Sequence, residues 1–172
     1  MTENHTFSLW LIPSGKAYTL LSGYITQLSE TYDLPKFEPH ITVLGGVSQP
    51  ETPTMRRLAE SLAPFPVRLA PQAGYMDEFT RCLFLTAYRT SELTGAYVRA
   101  CTLFNCPSGP YFPHLSLAYG NLPVETKHKM IRDLGEIPPV AFEARAIFLV
   151  QASARMDVSS WKVAEQYPFT RP

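Results

Sequence analysis

Two short stretches of this chain carry the same arrangement of groups able to do acid–base chemistry. Phe37-Glu38-Pro39-His40-Ile41-Thr42-Val43 and Tyr111-Phe112-Pro113-His114-Leu115-Ser116-Leu117 both read aromatic, any residue, proline, histidine, aliphatic, hydroxyl, aliphatic. In an extended segment residues two apart share a face, so each stretch offers one imidazole and one hydroxyl to one side and two aliphatic groups to the other. Pro39 and Pro113 fit at the entry to a strand, where a missing amide donor is tolerated. If a pseudo-two-fold axis relates the stretches, the four polar groups converge on one surface. Hydrolysis of a phosphodiester needs such a set. One neutral imidazole takes a proton from attacking water while the other, protonated, gives one to the departing oxygen. Thr42 and Ser116 would hydrogen-bond the nonbridging oxygens, where charge is redistributed. An unperturbed pKa of ~6.5 suits histidine to either role, and the sequence leaves open which ring is the base. A single His-x-Thr would read as a satisfied core or surface residue; two in matched contexts reverse that preference. His5, in a polar tail, and His128, between Lys127 and Lys129 on a predicted helix, read as solvated.

Apolar periodicity predicts the elements that must position these groups. Phe7 to Ile12 reads as a buried strand. Lys16 to Thr31 reads as an amphipathic helix with Tyr18, Leu21, Ile25 and Leu28 on one face, and His40 to Leu44 as a second strand. Thr52 before Pro53 reads as an N-cap with proline at the first helical position, leading a helix that Pro64 stops, and Pro66 to Ala73 reads as a third strand. The second half repeats the order, with a strand at Cys82 to Tyr88, a helix at Ser91 to Phe104, a strand at His114 to Tyr119, a helix at Val124 to Leu134 and a strand at Val140 to Gln151. A last strand near Trp161 to Gln166 follows. Phe7 precedes His40 by almost the interval at which Cys82 precedes His114, and Pro66 follows His40 as Val140 follows His114. The expectation is therefore α+β: one bilobal unit over 1–172, two pseudo-symmetric βαβαβ-type lobes (about 1–78 and 79–172, with the termini free to cross), antiparallel sheets facing a central cleft and helices outside. Ligands favour such lobe interfaces.

Composition narrows the partners. The 15 Lys and Arg balance 15 Asp and Glu, so no overall positive field gathers long nucleic acid, whereas a small phosphate ester suits that balance. At 45% hydrophobic and 12% aromatic residues the chain is too apolar for disorder. The N-terminal apolar stretch, Phe7 to Pro13, is shorter than a secretory signal core, and no run approaches the ~20 apolar residues of a membrane span. Three cysteines, Cys82, Cys101 and Cys106, fit neither a zinc pattern nor a disulfide framework. A cytoplasmic monomer with free thiols is expected, although Cys101 and Cys106 are close enough in sequence for geometry to decide.

The paired motifs resemble those of the 2H phosphoesterase superfamily, and Ser8-Leu9-Trp10-Leu11-Ile12-Pro13 with Pro113-His114-Leu115-Ser116-Leu117-Ala118-Tyr119 is most similar to its cyclic phosphodiesterase branch. The resemblance spans nearly the whole chain. It implies a bilobal α+β fold, no metal and no cofactor, and opening of ADP-ribose 1'',2''-cyclic phosphate to the 1''-phosphate or of nucleoside 2',3'-cyclic phosphates to the 2'-phosphate. It makes His40 and His114 the acid/base pair, has Thr42 and Ser116 bind phosphate, and brings Tyr119 to the substrate, although an odd offset on a straight strand would point Tyr119 away from His114 unless the chain bends near Gly120. Trp10 and Phe84 could stack on a base, with a core role at least as expected, and Arg81 could touch phosphate or end solvated. Other readings are an RNA end as substrate, against which the neutral charge argues, and a nucleotide-binding module without turnover, against which the intact motifs argue. A zinc hydrolase would need at least three protein ligands, and a serine hydrolase a Gly-x-Ser-x-Gly elbow that the chain lacks.

Overall fold

Runs of alternating or continuous apolar residues form the strands β1 (Phe7–Leu11), β2 (Ile41–Val47), β3 (Phe65–Gly74), β4 (Leu83–Ala87), β5 (His114–Ala118), β6 (Val140–Ala144), β7 (Ala146–Gln151) and β8 (Lys162–Pro168). Between them lie the helices α1 (Gly15–Tyr32), α2 (Thr52–Glu60), α3 (Ser91–Leu103) and α4 (Val124–Leu134). A computed structural model describes residues 7–48, 50–152 and 157–171; His5 lies outside them.

The strands form one curled antiparallel sheet in the order β6-β3-β4-β5-β2-β1-β7-β8. Its two four-stranded arms are the lobes of the expected α+β fold, but they are not separate sheets. A single pairing, Ile41 with Leu115, joins β2 to β5. The arms also exchange segments of chain: β3 pairs with β4 and β6, while β7 returns to pair with β1 and β8. That exchange explains why Val140 to Gln151, which reads as one strand, is two. β6 belongs to the edge of one arm and β7 to the other, and the chain leaves the ladder at Arg145 because one straight strand cannot lie in both.

Helices cover one face of the sheet. Leu9, Leu11, Ile41, Val43, Leu83, Leu85, Leu115 and Leu117 point there and share a core with Leu21, Ile25, Leu28, Met55, Leu58 and Met130. On α1 the buried stripe is Ala17, Leu21, Ile25 and Leu28, which places Ala17 where Tyr18 was expected. On α2, Glu51 occupies the N-cap position, one residue before Thr52. α1 packs on β5 and α3 on β2, so each helix braces the strand of the opposite arm across the β2–β5 seam. Cys82, Cys101 and Cys106 are free thiols.

α4 buries Lys127 along with Met130 and Leu134. The Lys127 ammonium donates to the Met76 carbonyl at 2.8 Å and to Asp77 at 2.7 Å, and its side chain is 2% exposed against 86% for Asp77. Removing the lysine takes away the donor of the Met76 carbonyl and opens a hole where the buried lysine stem packed. Lys127→Ala is therefore expected to lower stability by about 2–4 kcal/mol, and Asp77→Asn by less than about 1 kcal/mol because its carboxylate is in water. Urea unfolding of the two variants checks the order; equal losses would show that the ion pair, not the lysine's packing and its bond to the Met76 carbonyl, carries the effect.

Candidate active site

The helix-free face of the sheet takes the residues that alternate with the core set. In register, Trp10 lies opposite Thr42 on β1 and β2, and Phe84 opposite Ser116 on β4 and β5. Continuing the Ile41–Leu115 pairing by one residue each way sets Thr42 across from His114 and His40 across from Ser116. Each imidazole is thus neighbour to the hydroxyl of the other motif, and cross-strand neighbours have Cβ atoms about 4.5–5.5 Å apart.

Both rings are held in the same way. His40 Nδ1 is 2.7 Å from the Glu38 carbonyl and His114 Nδ1 is 2.9 Å from the Phe112 carbonyl. A carbonyl only accepts, so each Nδ1 carries the proton and donates it, which leaves Nε2 as the free lone pair. The intervening Pro39 and Pro113, both buried, fix φ in this two-residue reach-back. His40 is 5% exposed. Burial pushes its pKa down to about 3, opposed by the Glu38 carbonyl, with nearby His114 adding a little to the depression. Burial also lowers His114, opposed by the Phe112 carbonyl; the Arg81 cation lowers it further and Glu78 raises it. Both rings are neutral at pH 7 in the free protein.

The hydroxyls differ. Ser116, 4% exposed, donates its proton to the Thr80 carbonyl at 2.8 Å. Thr42 is half-buried; its carbonyl accepts from the Tyr111 hydroxyl at 3.0 Å, while among the described residues its own hydroxyl has no partner. Tyr119 comes to the His40 side of the site because β5 ends at Ala118, releasing it from strand alternation; the Gly120 amide bonds the Phe79 carbonyl at 2.9 Å. The Tyr119 ring stacks on Phe37 at 3.9 Å, and burial raises its pKa, with the Ser116 hydroxyl beside it acting the other way.

Trp10 and Phe84, the candidates for base stacking, pack against the two histidines. Trp10 is 3% exposed and lies flat on the His40 ring, centroids 3.4 Å apart and planes within 7°, so that face is taken. Phe84 is 4% exposed and edges both His114 and Phe112 at 5.5 Å. Arg81 is ion-paired with Glu78 in the Phe79–Arg81 turn and acts on His114 through its charge. His128 meets the Tyr75 hydroxyl at 2.9 Å, away from the two motifs. The Glu38 and Phe112 carbonyls were missed, although the Pro-His spacing signalled them. Thr80 carries no periodic or motif signal, and Trp161, although placed at the start of a last strand, carries none for a place beside His40. Among the described residues no three His, Cys, Asp or Glu side chains are grouped to hold a metal, and no helix is long and apolar enough to cross a membrane.

Residues 21–155 match the 2'-5' RNA ligase superfamily. The chain is 27% identical over 128 residues to the cyclic phosphodiesterase of Arabidopsis thaliana, covering 73% of this chain and 71% of that one. Among solved structures, Thermus thermophilus TT0787 superposes with a TM-score of 0.62 at 19% identity over 95% of this chain and 97% of its own. Apo E. coli LigT superposes with 0.63 at 11% identity over 97% and 98%; LigT has also been solved with 3'-AMP and with phosphate.

Proposed function

Because this chain belongs to the 2'-5' RNA ligase superfamily, as a 2H phosphoesterase of cyclic phosphodiesterase type, we propose that it opens ADP-ribose 1'',2''-cyclic phosphate and nucleoside 2',3'-cyclic phosphates. The catalyst is the two-histidine pair, without a metal. The observation that carries this reading is the crosswise setting of His40 and His114, each with Nδ1 tied to a carbonyl and Nε2 free.

In this mechanism His40, held neutral above about pH 3, accepts the proton of the attacking water at Nε2. The water oxygen bonds to phosphorus. His114, protonated when the phosphate anion sits beside it, gives its Nε2 proton to the departing ring oxygen as that P–O bond breaks. The product is a phosphomonoester, with the proton now on His40 and none on His114 Nε2; exchange with solvent resets the pair. The indole face under His40 stabilises the cation it becomes. Thr42 and Ser116 donate to the nonbridging oxygens, and both motifs come from one chain, so a monomer suffices. The binding of 3'-AMP and phosphate by LigT supports a small phosphate-bearing ligand.

The test is incubation with 2',3'-cyclic nucleotides and, separately, ADP-ribose 1'',2''-cyclic phosphate in excess EDTA, with products read by phosphorus NMR. Turnover in chelator is the expected result, and the product shifts name the leaving oxygen. No turnover of either by folded protein would remove the substrate assignment and favour RNA ends. The hydroxyls should not be equivalent. Thr42 has no bond to give up, so Thr42→Val is expected to lower kcat by about 10²-fold. Ser116 must exchange its Thr80 bond for one to phosphate, so Ser116→Ala is expected to lower kcat only about tenfold. Equal losses would mean that the Ser116–Thr80 bond persists in the complex or that neither hydroxyl binds.

A further inference from the structure

Beside His40 lies a cavity of about 320 Å³ reaching toward β8. Its floor is shared with the histidine. Trp10 stacks on His40, Phe37 lies 6.4 Å and Trp161 6.5 Å from the same ring, and Glu38 supplies the carbonyl that holds Nδ1. Its rim is cationic. Lys36, from the segment before His40, and Lys162, at the start of β8, are exposed, and neither ammonium has a hydrogen-bond or ion-pair partner among the described residues. Glu38 is the one acidic residue lining the cavity against these two cations. The Trp161 indole N–H is buried without an acceptor, a state that costs about 1–3 kcal/mol unless a partner arrives. In the other arm Phe84 packs against the backbone at Gly74, where an added Cβ would stand 3.0 Å from its ring.

We propose that this cavity is a subsite for a second phosphate group, carried on the same small molecule as the cyclic phosphate and held between Lys36 and Lys162 over Trp161. The inference rests on the two-histidine reading for its kinetic consequence but not for binding. A group that must reach both His40 and these lysines orients the substrate in one direction across a nearly symmetric pair, which fixes the ring oxygen that faces His114.

Two measurements test it. Wild-type protein is expected to prefer adenosine 2',3'-cyclic phosphate bearing a 5'-phosphate over the same compound without it by at least about tenfold in kcat/KM, the scale of one charge-assisted bond. The ratio should fall toward one in the Lys36→Gln/Lys162→Gln double variant and with rising salt. Equal rates on the two substrates, or a ratio unchanged by the lysine changes, would overturn the proposal. An oligoribonucleotide ending in cyclic phosphate that outruns both would make the occupant an RNA strand and overturn it too. Binding is read separately, since both tryptophans of the chain line the cavity. Adenosine 5'-monophosphate should quench their fluorescence saturably, adenosine far less. The quench should survive His114→Ala and weaken about tenfold in the lysine double variant. Quenching unaffected by the lysine changes, or none at millimolar ligand, sinks the subsite. A lysine-dependent quench without turnover of any cyclic phosphate keeps the subsite and removes the two-histidine reading instead.

Discussion

His40→Ala and His114→Ala are each expected to lower kcat/KM for cyclic phosphates by about 10²–10⁴-fold, the range of general acid–base catalysis by one positioned group. In the proposed mechanism the two rings act as a relay in which one cannot work without the other, so the double variant should lose little more than either single one. Far-UV circular dichroism separates lost chemistry from lost fold. The pH profile adds a signature that a merely structural role would not give. The proposed mechanism requires the free protein to have His114 protonated and His40 neutral. Both pKa values lie below the ordinary histidine value, so kcat/KM should peak on the acid side of ~6.5 and fall about tenfold per pH unit above the His114 pKa. Bound phosphate favours protonated His114, so the falling limb of kcat should sit at higher pH than that of kcat/KM. A kcat/KM plateau extending to pH 8 would show that no histidine proton is needed in the free protein.

Stability should drop steeply in acid, and His40 should account for much of it. In the unfolded chain histidine titrates near 6.5, whereas in the fold His40 titrates at about 3. Above 6.5 both states are neutral there and the residue contributes no pH dependence. As pH falls from 6.5 toward 3 the unfolded chain binds a proton that the folded one refuses, so the folded state loses ground. At about 1.4 kcal/mol per unit the full loss is about 4–5 kcal/mol, a large part of the 5–15 kcal/mol that domains have in total. That figure is an upper bound, because opening the segment before His40 locally hydrates the ring without global unfolding. His114, also lowered, adds in the same direction. Urea unfolding of wild type and His40→Gln at pH 7 and pH 4 measures it: the wild type should lose several kcal/mol more than the variant over that interval. Parallel losses would place the acid-sensitive proton elsewhere.

Ile41 and Val43, and Leu115 and Leu117, alternate with His40 and Thr42, and with His114 and Ser116, because a pleated strand alternates faces; that pattern alone separates a core side from a polar side. The Pro-His pairs likewise encode locally the turn that ties each Nδ1 to the carbonyl two residues back. The α4 pattern, by contrast, gave no hint that Lys127 is buried, since its partner is the distant Met76 carbonyl.

What sequence determined was therefore the local chemistry: which groups share a strand face, which rings can exchange protons, and that two matched copies exist. Tertiary structure alone decided how the copies meet, because a single antiparallel contact at Ile41 and Leu115 sets each histidine beside the other's hydroxyl. It also decided which aromatics gather at His40: Trp10 stacks flat on its ring, and Trp161, just before β8 and far along the chain, comes edge-on to the same ring. Burial and long-range pairing are properties of the whole chain's packing, and they set the proton affinities on which the histidine chemistry depends.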